Sequence, residues 1–149
     1  MAVCTFFGHR DCPENIKINL RKILIKLIEV EGVKTFYVGN QGRYDSMVRR
    51  VLRELKEKYP HIEYLVVLAY MPSEHDIHDL EHFDETMLPE GIETVPKRFA
   101  ISWRNNWMLN QSDYVVAYID HDWGGAFQYV SRAVKQRKHV INLTEFIFN

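Results

Sequence analysis

The sequence predicts a doubly wound α/β domain, a mainly parallel sheet with helices on both faces. Three observations lead there. Strand-like apolar runs alternate with segments whose apolar residues recur at three-and-four spacing. One of those runs, Ile62–Met71, is almost continuously apolar, as a parallel strand covered on both faces requires. Glycine follows strand after strand, at Gly8, Gly39 and Gly124, where a backbone must turn tightly or come close to a ligand. The 149 residues, 46% apolar and 26% charged, suit a single domain over 1–149 with a full core.

The elements follow in order. Ala2–Phe7 is a β-branched and aromatic run that reads as a buried strand ending at Gly8. Pro13 suits the first turn of a helix, with Asp11 or Cys12 near its cap and Glu14 favourable at the positive end of the dipole. Ile16, Leu20, Ile23, Leu24, Leu27 and Ile28 form its core stripe, and Gly32 stops it. Val33–Val38 is the second strand. After the loop Gly39–Ser46, with Asp45 or Ser46 as cap, a helix carries Met47, Val48, Val51, Leu52 and Leu55 inward and ends near Tyr59-Pro60. Ile62–Met71 is the third strand. Pro72–Gly91 has no clean period and reads as a long excursion. Glu93–Val95 is expected as a short strand, and Pro96 opens a helix through Asn110. That helix has Phe99, Trp103 and Trp107 on one side and Ile101 and Met108 on another, so it should meet both the sheet and something else, the excursion or a second subunit, and a homo-oligomer is expected. Tyr114–Ile119 is a strand, Gly124–Arg137 a helix with Ala126, Val130, Ala133 and Val134 inward, and His139–Leu143 the last strand.

Charge and cysteine usage narrow the function classes. The formal net charge of −1 offers no general attraction to nucleic acid or an anionic membrane. The distribution is uneven. Between Tyr59 and Pro96 there is no Lys or Arg but nine carboxylates, leaving eleven of the 20 acids with all 19 bases elsewhere. A solvated acidic loop beside solvated basic helix faces is the simplest account of both groups, including the Arg49-Arg50-Arg53-Lys56-Lys58 helix. Cys4 and Cys12 lack a Cys-x-x-Cys spacing, the N-terminus lacks a signal core, and no apolar run reaches spanning length; a reduced, soluble, cytoplasmic protein is expected, with neither membrane nor nucleic acid as partner.

In a doubly wound sheet the ligand lies beyond the carboxyl ends of the strands, where strand order reverses beside the first. If the order is the common one, the loops at Gly8-His9-Arg10, Gly39–Asp45 and Asp120–Gly125 converge there. Gly124-Gly125 before a helix would aim free N–H groups and a helix dipole at a phosphate. Arg10 and Arg104 can fork onto phosphate oxygens, and Asp45 can accept from ribose hydroxyls. Plain structural alternatives stand beside each: Arg10 paired with Asp11 or Asp120, Asp45 as a helix cap only, His9 as a satisfied loop histidine.

Gly8-His9-Arg10, the Gly-x-x-Gly-x-x-Asp of Gly39, Gly42 and Asp45, Arg104 with Met108, Ser112-Asp113 and Gly124-Gly125 together resemble the SLOG superfamily. These are Rossmann-like domains related to the DNA-processing protein DprA and to the LONELY GUY (lysine-decarboxylase-like) phosphoribohydrolases. The resemblance implies a nucleotide-like ligand held by Gly8, His9, Arg10, Gly39, Asn40, Gly42, Asp45, Arg104, Asn105, Gly124, Gly125 and Ala126. In the hydrolase members an Arg-Lys pair and a Pro-Gly-Gly-x-Gly-Thr-x-x-Glu loop bind a nucleoside monophosphate and cleave its N-glycosidic bond. Here Arg104 matches the arginine, Asn105 stands at the lysine, residues about His121-Asp122-Trp123 replace Pro-Gly-Gly, and Gln128 takes the place of the glutamate. Cleavage builds positive charge at the anomeric carbon, which a carboxylate stabilises and an amide does not. Gln128 therefore points to a binding or sensing domain first. An N-glycosidase comes second, with catalytic candidates Asp45, Arg104, Asp120 and Gln128 and with Asp122 as a further source of the missing carboxylate.

No cofactor is expected. His75, His78 and His82 would share one face if their segment were helical, giving a weak metal candidate against the simpler reading of an exposed acidic lid. A Ser-His-Asp hydrolase lacks its Gly-x-Ser-x-Gly elbow, and a nicotinamide dehydrogenase lacks Gly-x-Gly-x-x-Gly after the first strand. A structural or partner-binding domain of the same shape stays open.

Overall fold

A computed structural model describes residues 2–71 and 84–146 of the chain. Ten elements build it: β1 (Val3–Gly8), α1 (Lys17–Glu29), β2 (Thr35–Val38), α2 (Gly42–Lys58), β3 (Glu63–Val67), β4 (Thr86–Met87), α3 (Lys97–Gln111), β5 (Tyr114–Tyr118), α4 (Gly125–Lys135) and β6 (His139–Asn142), with short 3-10 turns at Glu14–Ile16, Ile92–Thr94 and Leu143–Phe146. The sheet has six strands, all pairings parallel, in the order β4-β3-β2-β1-β5-β6. The chain winds outward from β1 to β4, then returns to lay β5 on the other side of β1. That reversal is the doubly wound topology expected, and it opens a crevice between the carboxyl ends of β1 and β5.

The period-two alternation of the strands sorts the apolar residues onto two faces. Cys4, Phe6, Phe36, Val38, Val66 and Val116 turn toward α1 and α2, where they meet Leu20, Leu24, Leu27, Met47, Val51, Leu52 and Leu55. Phe7, Val67, Val115 and Ala117 turn the other way, toward Met108 and Leu109 of α3 and Tyr129 and Ala133 of α4. Each strand is therefore apolar on both sides, which explains the near-continuous runs in the sequence.

Several elements differ from expectation. The run Ile62–Met71 leaves the ladder after Val67, and Leu68 and Ala69 stay buried without being strand. The two-residue edge strand β4 lies inside the stretch expected as an excursion, paired Val66 to Thr86 and Val67 to Met87. Glu93–Val95 forms no strand. Gly91 takes φ +93° and Thr94 Oγ1 donates to its carbonyl at 2.7 Å, curling the segment into a 3-10 turn. α2 begins at Gly42, before Asp45 and Ser46, so Asp45 sits in the first turn and its carboxylate accepts from the Gln41 N–H at 2.9 Å. In α3 the buried stripe is Ala100, Arg104 and Met108 with Leu109, while Phe99 is 52% exposed. An arginine occupies the middle of the inward face, which a purely apolar pattern hides. Trp107 packs on Tyr37 of β2, on the α3 and α4 face of the sheet, and Trp103 joins a small cluster with Ala69, Ile92 and Ala100.

The solvated-charge reading also needs correction. The Asp84 side chain is fully buried and accepts from Tyr64 Oη at 2.8 Å and Arg53 Nη2 at 3.2 Å, with Arg49 Nε at 3.8 Å. Part of the basic face of α2 is thus spent on the end of the acidic stretch. Cys4 and Cys12 are both free and buried, and burial pushes both thiols above their ordinary range. Among the described residues no helix is long and apolar enough to cross a membrane.

Candidate ligand-binding cleft

At the reversal point lies a cleft of about 510 Å³. Four parts of the chain wall it. The end of β1 supplies Gly8, His9, Arg10 and Asp11. The start of α2 contributes Gln41 and Asp45, and α3 contributes Ile101, Arg104, Asn105 and Met108. The step from β5 into α4 adds Asp120, His121, Trp123, Gly124, Gly125, Ala126 and Tyr129. Parallel register brings the first and last of these together, since Gly8 pairs with Tyr118 and the His9 N–H donates to the Tyr118 carbonyl at 3.1 Å.

Close backbone approach shapes the cleft floor. A Cβ on Gly8 would lie 2.3 Å from the ring of Tyr44, a buried side chain whose hydroxyl donates to the Val116 carbonyl at 2.8 Å. Tyr44 thus slides under the end of β1 and pins the start of α2 to the sheet, and only glycine leaves room for it. A Cβ on Gly39 would lie 2.8 Å from Asp45 Oδ2 and 3.3 Å from Arg104 Cζ. Gly39 is where backbone gives way to a pair of opposite charges.

Those charges are held differently. Arg104 is 1% exposed; its Nε donates to Asn105 Oδ1 at 2.8 Å and its Nη1 to Asn40 Oδ1 at 3.2 Å and to the Val67 carbonyl at 2.8 Å. It ties α3 to the ends of β2 and β3 as well as lining the cleft. Burial pulls its pKa down, and Asp45 opposes that. Asp45 is partly buried; removal of its carboxyl from water pushes its pKa up, against the lowering effects of Arg104 and of the Gln41 N–H. Arg10, by contrast, is exposed and, among the described residues, takes part in no salt bridge with Asp11 or Asp120.

The loop after β5 carries a stack that the sequence did not signal. The rings of His9 and His121 lie 3.5 Å apart and nearly parallel, and His121 is 4.0 Å from the indole of Trp123, itself 68% exposed. Asp120 Oδ1 is 2.6 Å from His121 Nδ1 and 3.5 Å from His9 Nε2. His9 Nε2 is buried with no hydrogen-bond partner, so His9 is not the satisfied loop histidine that the plain alternative describes. Desolvation and the neighbouring His121 lower the His9 pKa, while the histidines hold Asp120 below the usual carboxylate range despite its desolvation. Beyond the stack, Gly124 is the N-cap of α4, with φ +95° and no side-chain cap, so the first N–H groups of the helix lack a side-chain partner where Gly124, Gly125 and Ala126 line the cleft.

Of the residues singled out from sequence, Gly8, His9, Arg10, Asp45, Arg104, Asn105, Asp120, Gly124, Gly125 and Ala126 all line this one cleft. Gly39, Asn40 and Gly42 stand behind the wall. A Cβ on Gly42, which has φ +85°, would lie 2.9 Å from Arg10 Cγ, and Asn40 holds Arg104. Gln128 is exposed on α4 and is not among the lining residues. His75, His78 and His82 lie outside the described residues. Sequence reasoning placed Gln41, His121 and Trp123 in the converging loops without singling them out, and it missed Tyr129. For His121 and Trp123 the available signal was their place directly before Gly124-Gly125.

A parallel sheet whose order reverses at a cleft floored by glycine and capped by a helix N-terminus defines a Rossmann-like α/β domain. The YpsA family model, described as the YspA SLOG family, matches residues 2–147, and the chain belongs to that family. It is 25% identical over 134 residues to UPF0398 protein BH1768 of Halalkalibacterium halodurans, covering 83% of this chain and 69% of that protein. Its fold is similar to that of DNA processing protein A (DprA) from Streptococcus pneumoniae, with TM-score 0.64 and 12% identity over 94% of this chain. The chain spans about half of that structure, 49% of its length.

Proposed function

We propose that this chain binds a nucleotide or nucleotide derivative in the cleft between the ends of β1 and β5, as a binding or sensing domain. One observation carries the reading: an exposed arginine, Arg10, and the uncapped start of α4 face the same cleft at the strand-order reversal. Membership of the SLOG family supports a nucleotide-related domain at the level of the family. The N–H groups of Gly125 and Ala126, with the α4 dipole, receive a phosphate, and Arg10 closes on it from the β1 side. Asp45 accepts from ribose hydroxyls, and Arg104 holds the floor that positions Asp45.

The test is a thermal-shift screen against AMP, CMP, NAD, ADP-ribose and cyclic nucleotides. A ligand at a hundred times its Kd stabilises the native state by about 2.7 kcal/mol, a rise of about 5–10 °C for a domain of this size. Arg10→Ala should weaken binding about tenfold, the worth of one charge-assisted contact. No shift with any of these compounds sinks the reading and favours a structural or partner-binding domain.

Hydrolysis is a second reading, favoured by a specific observation: two of the candidate carboxylates, Asp45 and Asp120, line the cleft together with Asp11, although Gln128 does not. Either one would supply the negative charge that glycosidic cleavage demands. Base released from AMP or CMP by the wild type, and lost in Asp45→Asn or Asp120→Asn, would put this reading first.

A further inference from the structure

Where β1 and β5 end side by side, three metal-ligating side chains leave the sheet together. His9 follows β1, Asp120 and His121 follow β5, and one donor atom from each lies within 4.8 Å of the other two. The Asp120 carboxylate is shared: its Oδ1 is 2.6 Å from His121 Nδ1 and 3.5 Å from His9 Nε2. A second observation concerns the solvation of one of these donors. His9 Nε2 is shielded from solvent and hydrogen-bonded to nothing, although its side chain, 10% exposed, aims it at the carboxylate. Buried polar atoms are almost always satisfied, and an orphan at a cluster of ligand-type groups marks a missing partner.

We propose that His9, Asp120 and His121 form a binding site for a first-row divalent transition-metal ion of the Zn²⁺ type, opening onto the cleft. The donor set decides the class of ion. Two imidazole nitrogens with one carboxylate oxygen suit borderline ions such as Zn²⁺ and Co²⁺, whereas Mg²⁺ and Ca²⁺ take sets dominated by oxygen. Donors bonded to one such ion at about 2.1 Å stand no more than about 4.2 Å apart, so a small rotation of the side chains closes the cluster. The parallel rings of His9 and His121 splay as they do so, and the exposed Trp123 indole, 4.0 Å from His121 on its other side, shifts with it. Three protein ligands leave at least one coordination position for water or for an oxygen of a cleft ligand. The site does not depend on the nucleotide reading and exists without any nucleotide.

The experiment uses the full chain without an affinity tag, stripped with EDTA. Titration with Co²⁺ is followed by visible absorption, and Zn²⁺ binding by equilibrium dialysis. The expected result is an ion bound at micromolar concentration whose affinity falls about tenfold or more in His121→Gln and in Asp120→Asn. It should be lost in His9→Gln combined with His121→Gln. Asp120 and His121 side chains are 50% and 31% exposed, so their variants retain the fold, which an unchanged melting temperature in EDTA verifies. The triple variant His75→Gln, His78→Gln, His82→Gln should keep this ion. Absence of Co²⁺ and Zn²⁺ binding overturns the site, as does binding that survives in Asp120→Asn and His121→Gln.

Discussion

Arg104 shows how one side chain can be recognised in sequence while its hydrogen-bond partners stay hidden. Its position on the helix before β5 marked it as a phosphate clamp, yet its guanidinium is committed to Asn40, Asn105 and the Val67 carbonyl. An arginine at 1% exposure cannot serve the cleft alone; it must first satisfy its own buried donors. Among the described residues Arg10, two positions after Gly8, takes part in no salt bridge, and the proposed reading gives the phosphate to it. The stacking of His121 and Trp123 was illegible for a different reason. Their stack on His9 depends on the register of β1 against β5, and spacing along one strand carries no information about the neighbouring strand. Asp45 supports a prediction at this scale. Its folded pKa is raised above the ordinary 3.8, so the native state holds the proton more tightly than the unfolded chain. The resulting stabilisation is complete below that ordinary value and disappears as pH rises through the raised one. Urea unfolding between pH 7 and pH 4 should therefore show wild type gaining on Asp45→Asn as pH falls, by at most about 1.4 kcal/mol per pH unit. A difference independent of pH would contradict the raised value.

Among the elements, the helices with clean stripes were legible and the ambiguous ones were not. Leu20, Leu24 and Leu27 defined α1, and Met47 to Leu55 defined α2, because an uninterrupted apolar face has only one period. In α3 the aromatic residues advertised a face that belongs partly to a satellite cluster, while the core face runs through Arg104. β4 escaped notice since two residues have no period at all. The end of α4 offers a direct test of local backbone chemistry. Arg137 has φ +62°, and its N–H and that of Lys138 return to the carbonyls of Val134 and Ala133, the Schellman arrangement in which glycine is preferred. Left-handed backbone costs a residue with a side chain about 1–2 kcal/mol. Glycine relieves that and gives part of it back through its freer unfolded state. Arg137→Gly should raise the unfolding free energy by about 0.5–1 kcal/mol, read from the urea midpoint at constant slope, with the cleft unaffected.

For the molecule as a whole, the sheet order is what made the site readable. Once strand order reverses beside β1, residues as distant as His9 and Gly125 must meet, and the sequence needed only to place them after strands. The charge ledger was legible in sum but not in detail. Asp84, at the end of the acidic stretch, is drawn under cover by Arg53, Arg49 and Tyr64, which couples the segment before β4 to α2. Asparagine keeps the shape but removes the buried negative charge that Tyr64, Arg53 and Arg49 face. Asp84→Asn should lower stability by about 2 kcal/mol, with the urea midpoint falling and the slope unchanged.

Because all six strands point the same way, every turn that leads into a strand gathers at the rim remote from the cleft, Gln136–Lys138 among them. With both native thiols hidden in the interior, a cysteine introduced at exposed Gln136 would be the one reactive handle on the accessible surface among the described residues. A fluorophore or a sensor-chip linkage attached there would hold the protein by its back and leave the mouth of the cleft facing the solution.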